Sequence, residues 1–525
     1  MSKSILKQSS KIGILALLSR CIAFAREILL IRFLSVGHAS DVFYTAFRTP
    51  NTLRKIFAEG ALASILIPAF VNAQHNDKED GVSKLTTLAF LSIEAGIALL
   101  CLSCCIFSTQ LIGFLAPGFD QASIDQAGSL LKILMSFLWF VSSGAIFAAA
   151  LQSQKMFFIP AIAPAVLNVT YVGSLAFCLY MNYSITTFCW YMIGTAILYF
   201  ALHVVAYIHA GFNFQRADAT SVKELAIVGL QFVPCIISVG ITEINHIVNT
   251  RFGSYLATGS LTLLRSTFQF VNIPVGIIAA SLVTVLLPHF SKIHLEKPEE
   301  LSEHIEQAIK FIIWSTLPIC FLLTLFSRHI FETLFFADAQ AMAKIPLAQS
   351  IFIGYLIGLL AYSLNKVFLS IFYALRMTMI PMLTSCVSIV VNYVLCQAFI
   401  HSYQAAGIAF ASACASIVQM LLFIIILHHH LHLHWKAQSW LPFLYRYGAQ
   451  LTLLSAGLWA TYQGAMNYLH TSSWSSVIAG YTINASMFTH GFGVWFWAGP
   501  CVLIYLGLLY ITRKKFGIQL QYFEN

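Results

Sequence analysis

The stretch "SRCIAFAREILLIRFL", Ser19 to Leu34, is apolar enough for a membrane helix, yet it carries Arg20, Arg26, Glu27 and Arg32. An arginine at the centre of a span costs roughly 2.5–3.5 kcal/mol on insertion scales, and each large aliphatic residue returns about 0.3–0.6. The apolar residues of this stretch therefore offset about 3–6 kcal/mol, which Arg20, Arg26 and Glu27 alone cancel. A helix of this kind cannot face lipid on all sides; its charges need water or ionic partners. The next segment, "DVFYTAFRTPNTLRKIFAEGALASILIPAF" (Asp41–Phe70), repeats the pattern with Asp41, Arg48, Arg54, Lys55 and Glu59. Lys55 and Glu59 are spaced i,i+4 and can pair on one helical face. Arg20 and Glu27 share a face. Arg20 and Arg26 differ by roughly 120° around an ideal helix, so they meet one ligand only in a bent helix or a wide cavity.

The rest of the chain sets the context for these charges. Of 525 residues, 59% are hydrophobic and only 9% charged, too few to cover the surface of a soluble protein this long. Long apolar runs recur at Leu85–Ser108, Ile133–Leu151, Ile185–Ala206, Phe311–Phe326 and Trp495–Ile511. Runs of roughly 18 residues or more read as membrane helices, whereas barrel strands read as about ten alternating residues. The expected fold is therefore an all-α polytopic membrane protein. The net charge of +9 is explained by topology and calls for no nucleic acid. Lys3, Lys7 and Lys11, then Lys78, Lys84, Lys155, Arg216, Lys223, Lys292, Lys297, Arg376 and Lys436, and finally Arg513, Lys514 and Lys515 fall at the N-terminus, alternate hydrophilic breaks and the tail. That is the positive-inside pattern, and it closes with about fourteen spans and both termini in the cytoplasm. The arginines of the first span speak against a cleavable signal peptide. The twelve cysteines lie mostly in apolar runs; even Cys101, Cys104 and Cys105 read as packing residues and not as a disulfide or metal set.

An internal echo divides the chain. "GALASILIPAF" (Gly60–Phe70) resembles "AASLVTVLLPHF" (Ala279–Phe290), and "RFLSVGHAS" (Arg32–Ser40) resembles "RFGSYLATGS" (Arg251–Ser260). Arg32 to Pro68 is 36 residues and Arg251 to Pro288 is 37. The expected organisation is an N-terminal lobe over residues 1–215, a C-terminal lobe over 216–437, and two additional helices with the tail over 438–525. The halves begin on the same membrane side, a parallel repeat, which in transporters places the substrate site between the halves.

Further intramembrane polar groups are Glu94; Glu243, Asn245, His246 and Asn249; Arg265; and Asn365 with Lys366. Cations outnumber acids, so an anion is needed to complete the set. Arginine suits phosphate because its planar fork donates two bonds at once and stays charged. Arg20, Arg26 and Arg54 are the candidates for ligand contact. Arg32, Arg48, Arg251 and Arg328, near helix ends, read as interfacial or salt-bridged. No Walker loop, His-Glu-x-x-His or Gly-x-Ser-x-Gly occurs, so neither ATP-driven transport by this chain nor hydrolytic chemistry is supported. The run "HHHLHLHWK" (His428–Lys436) reads as a headgroup-facing edge in preference to a metal site.

The motifs "SRCIAFARE", "DVFYTAFRTPNTLRKIFAEGA" and "LLPHFSK", with Lys366 before "FYALRMTMIP", resemble the MurJ/MviN family of lipid II flippases. The resemblance covers essentially the whole chain. It implies the fourteen-helix fold of the MOP exporter superfamily and places the protein in the bacterial cytoplasmic (inner) membrane. It also implies that Arg20, Arg26 and Arg54 contact substrate, with Glu27, Asp41 and Glu59 as neighbouring acids. The family commonly carries an Asp-Arg pair in its eighth helix. Phe268 and Gln269 occupy those positions here, and Arg265 lies one turn earlier.

The expected function is the flipping of lipid II to the outer leaflet by alternating access, the arginines holding its pyrophosphate. Arg20, Arg26, Arg54 and Arg265 would bind substrate; Glu27, Asp41, Lys55, Glu59, Glu243, Gln269 and Lys366 would support or gate. The additional helices, near 440–466 and 490–512, would wall a groove for the polyprenyl tail. No cofactor is expected, and Na+, H+ or the membrane potential is the candidate energy source. Lipid II and membrane lipids are the expected partners, with cell-wall synthesis proteins as further candidates. The rivals are a polysaccharide-lipid exporter or drug antiporter of the same superfamily, which for cationic drugs needs an acidic cavity, and a membrane glycosyltransferase, which needs larger loops than these.

Overall fold

The computed structural model describes residues 25–58, 61–77, 80–279, 301–335, 338–375, 379–430, 437–471 and 488–518, with isolated positions and two short strands besides. Two compact units emerge, Met1–Thr262 and Leu263–Asn525. Among the described residues, eight helices are long and apolar enough to cross a membrane, and nine when one pair bent by 41° is counted as a single span.

The first unit contains α1 (25–34), α2 (His38–Phe57), α3 (Ala61–Asn76), α4 (Gly81–Ile106), α5 (Ser108–Leu115), α6 (Gln121–Ser153), α7 (Phe158–Tyr180), α8 (Ile185–His209) and α9 (Ala219–Gly253). Its centre is α6, whose apolar window is 78% buried. The segment "SSGAIFAAA" (Ser142–Ala150) explains this, because small side chains let neighbouring helices approach closely. A Cβ added at Gly144 would lie 2.6 Å from the Tyr199 ring of α8. One core joins Phe43 and Phe47 of α2 to Leu134 and Leu138 of α6 and to Phe188 and Met192 of α8. A second joins Leu66 and Phe70 of α3 to Leu85 of α4, Phe147 of α6 and Tyr207 of α8. The more polar α9 packs in this unit, against α2, α3 and α4. Asp218 caps it by accepting from Ser221 N at 2.8 Å.

Beyond α10 (Ser260–Ile277), the second unit contains α11 (Leu301–Leu325), α12 (Ser327–Leu334), α13 (Ala339–Ala343), α14 (Ile345–Leu356), α15 (Leu359–Ala374), α16 (Met379–His430), α17 (Ala437–Thr471) and α18 (Trp495–Thr512). The 52-residue α16 is two helices joined at Gln404, where φ is 48°. Its limbs fold back antiparallel: Gln419 Nε2 donates to Ser385 Oγ at 3.0 Å, and Ser388 Oγ to Ala415 O at 3.2 Å. The additional helices α17 and α18 share a core with α11, built on Trp314, Phe443, Tyr447, Tyr505 and Leu509. Gln450 Nε2 of α17 donates to Leu509 O of α18 at 2.8 Å. Their outer faces expose Leu441, Tyr445, Phe496 and Leu503, as expected of surfaces that meet lipid. The all-α expectation has one small exception, an antiparallel hairpin of β1 (Ser475–Ile478) and β2 (Tyr481–Asn484) between α17 and α18.

Candidate functional site

Among the described residues, several intramembrane charges of the first unit are held by specific neighbours. Arg26 on α1 is half-buried; its Nη1 donates to Asn168 Oδ1 of α7 at 2.9 Å, and its guanidinium lies 5.0 Å from the centre of the Tyr171 ring. Asn168 and Tyr171, three residues apart on one face of α7, thus fix the plane of the guanidinium through a hydrogen bond and a cation–π contact. Glu27 is buried and accepts from Tyr44 OH of α2 at 3.4 Å.

The lower half of α2 begins at Pro50, which lies inside the helix and is buried. Arg54 Nη2 donates to Asn51 Oδ1 at 3.1 Å. Lys55 Nζ forms an ion pair with Glu243 of α9 at 2.7 Å, and Thr52 Oγ1 donates to the other Glu243 oxygen at 3.3 Å. Lys55 is one-third exposed and Glu243 is buried, so the pair shields its negative end. Among the described residues the partner of Lys55 is Glu243, 188 residues away. Its helical-spacing partner Glu59 lies outside them, as does Arg20.

Asp41 has a different setting from the other acids. It is buried and accepts from Gly259 N at 2.6 Å, Thr262 N at 2.8 Å and Thr262 Oγ1 at 2.6 Å. These donors open α10, so the carboxylate caps a helix N-terminus, where the exposed N–H groups and the helix dipole favour an anion. In the second unit Arg265 is half-buried on α10 and Gln269 is exposed. Phe268 packs between Tyr355 and Tyr362, with ring centres 5.1 and 5.8 Å away. The Phe268 position is thus part of an aromatic cluster. Lys366 is exposed on α15, beside Asn365, which donates to Ser416 O at 3.0 Å.

A family model described as lipid II flippase MurJ matches residues 31–478. This chain belongs to the MurJ family. A probable lipid II flippase MurJ of Rhizobium meliloti is 30% identical over 433 residues, covering 80% of each chain. One of Treponema pallidum is 27% identical over 471 residues, covering 86% of this chain and 87% of its own. Among solved structures, a lipid II flippase MurJ in an inward closed conformation superimposes with a TM-score of 0.76 at 21% identity, over 96% of this chain and 99% of that one. An inward-facing multidrug transporter of the MATE family, in the MOP superfamily, gives 0.63 at 11% identity over 79% of this chain and 94% of that one. The MurJ fold is thus shared over most of the chain, and the protein is a multi-pass membrane protein.

Two cations outside the MurJ motifs are structural. Arg251 Nη1 donates to Phe114 O at 3.0 Å and lies over the Phe114 ring. Arg328, on the short helix α12 beyond the end of α11, pairs with Glu332 at 2.8 Å. Glu332 also meets His329 Nδ1 at 3.2 Å, and His329 Nε2 meets Tyr462 OH of α17 at 2.8 Å. A neutral imidazole satisfies both contacts, donating to the carboxylate and accepting from the phenol. Burial pushes the His329 pKa below its ordinary 6.5, despite the Glu332 carboxylate beside it. Burial opposes ionisation of Glu332 too, but the hydrogen bonds from Arg328 and His329 overcome it and hold its pKa below 4.5. Both depressed values mean that the unfolded chain binds more protons, so their stabilisation is complete above pH 6.5 and declines as pH falls below it. The thermal unfolding midpoint should therefore fall between about pH 7.5 and about pH 5.5, and less steeply in His329→Gln. Equal slopes for the two proteins would show that His329 does not titrate with folding.

Proposed function

We propose that this protein moves lipid II, the polyprenyl-pyrophosphate-linked peptidoglycan precursor, from the inner to the outer leaflet of the bacterial cytoplasmic membrane. The observation that carries the substrate assignment is Arg26. Among the described residues one of its nitrogens donates to Asn168, which leaves an oriented fork for a bidentate oxyanion such as pyrophosphate. Arg54 adds positive charge on the same unit, and Arg20 joins it by family resemblance. The process is transport by alternating access; no bond is made or broken. Both termini face the cytoplasm on this reading, as the flanking lysines and arginines favour. The charge balance supports this reading over export of cationic drugs. The reading is tested by growth of a strain depleted of its own flippase and supplied with this chain: rescue supports it, and lysis despite membrane-inserted protein contradicts it.

Arg265 takes, on this proposal, the role that relatives give to the arginine at the Gln269 position. The two positions are four residues apart, on one helix face and about 6 Å apart along the axis, within reach of an arginine side chain. Arg265→Ala should cripple rescue, and adding Gln269→Arg should restore part of it. Full rescue by Arg265→Ala alone would remove this helix from the substrate-binding set.

A further inference from the structure

Glu94 sits at the midpoint of α4, thirteen residues from Gly81 and twelve from Ile106, so about 18–20 Å of helix separates it from either end of the span. It is 6% exposed. Ser142 Oγ of α6 lies 3.4 Å from Oε1, while Oε2 is closed to solvent and accepts no hydrogen bond among the described residues. Ser143 and the Trp139 side chain complete the neutral surroundings. Both serine hydroxyls donate to Trp139 O at 2.8 Å. The Ser142 proton is shared between Trp139 O and Glu94 Oε1, and the hydroxyl oxygens keep lone pairs that a cation beside the carboxylate can use.

The charged side chains of the packed helices are engaged or distant. Lys84 of α4 is paired with Asp77, and Arg251 and Glu243 of α9 with Phe114 O and Lys55. His75 of α3, Asp125 and Lys132 of α6, and Lys223 and Glu224 of α9 lie toward helix ends, and His246 stands on the turn after Glu243. Cys101, two turns along α4, is the titratable group that senses Glu94. Among the described residues no cation pairs with this mid-membrane carboxylate, so its charge needs a cation from elsewhere. Two carboxylate and two hydroxyl oxygens form a hard, oxygen-only set suited to a small one.

We propose that the first unit carries a monovalent-cation site built on Glu94, Ser142 and Ser143, occupied by a proton or a sodium ion. Use of that ion to drive transport rests on the lipid II reading; its binding does not, and is measured without lipid II. The purified full chain in detergent is unfolded thermally at fixed pH in sodium chloride and in choline chloride, and its carboxylic-acid infrared band is followed across a pH titration. A sodium-specific rise in the midpoint that is lost in Glu94→Gln and kept in Glu94→Asp assigns sodium. A protonated-carboxyl band that is absent from Glu94→Gln assigns the proton. Should Glu94→Gln fail to fold, the double variant Ser142→Ala/Ser143→Ala should weaken the same response. A wild-type protein with neither response, or a response unchanged in these variants, overturns the site and leaves the flippase reading untouched.

Discussion

Arg26→Ala is expected to reduce lipid II flipping roughly a hundredfold or more while leaving folded protein in the membrane. The side chain is half-buried and holds one hydrogen bond and one ring contact, to Asn168 and Tyr171. Losing these contacts costs about 1 kcal/mol of stability, a small part of the total. On the proposed substrate contact, losing the fork removes two charge-assisted bonds to pyrophosphate, each worth about 1.5–3 kcal/mol, and every 1.4 kcal/mol is tenfold in affinity. Arg26→Lys keeps the charge but not the planar bidentate geometry, so roughly a tenfold loss is expected. Asn168→Leu should behave like the lysine variant, because it frees the guanidinium plane without removing it. Initial flipping rates for the three variants in vesicles check the order; wild-type rates for Arg26→Ala would exclude Arg26 from the substrate site.

Asp41→Ala is expected to act through stability instead. The carboxylate receives three hydrogen bonds at 2.6–2.8 Å, two of them from backbone N–H groups at the start of α10. Alanine leaves those buried donors without an acceptor and removes the anion from a helix N-terminus, at a cost of about 2–4 kcal/mol. Asp41→Asn retains one carbonyl acceptor and should lose about half as much. Thermal unfolding midpoints in detergent should therefore rank wild type above Asp41→Asn above Asp41→Ala. An alanine variant that melts with the wild type would show that the cap contributes nothing.

The fold class was legible because apolar runs of membrane length admit few other structures, and Arg26 was legible because a charge there is expensive. What surrounds Arg26 was not. Asn168 and Tyr171 are neutral side chains in an apolar run, and the only hint was a lone amide in "AVLNVTY" (Ala165–Tyr171). Asp41 read as one acid among several near the arginines, while its donors lie 218 and 221 residues away, a pairing no local pattern encodes. Lys55 shows the same limit, since its ion pair with Glu243 spans 188 residues. The turn at Gln404 falls at a hydrophilic break, residues 400–404, but a glutamine at positive φ is uncommon, so the residue that makes the turn carried no local signal. The short β-hairpin between α17 and α18 falls in a segment read only as a hydrophilic break between spans.

The most direct measurement is made on the purified chain alone, reconstituted in lipid vesicles with labelled lipid II in both leaflets. Accessibility of the label to an added, membrane-impermeant modifying enzyme reports its leaflet. Wild-type protein should make nearly all of the label accessible over time without nucleotide, and Arg26→Ala vesicles should stay at the outer-leaflet fraction. Wild-type vesicles indistinguishable from protein-free ones, under an imposed sodium gradient, proton gradient or membrane potential, would contradict lipid II flipping by this chain.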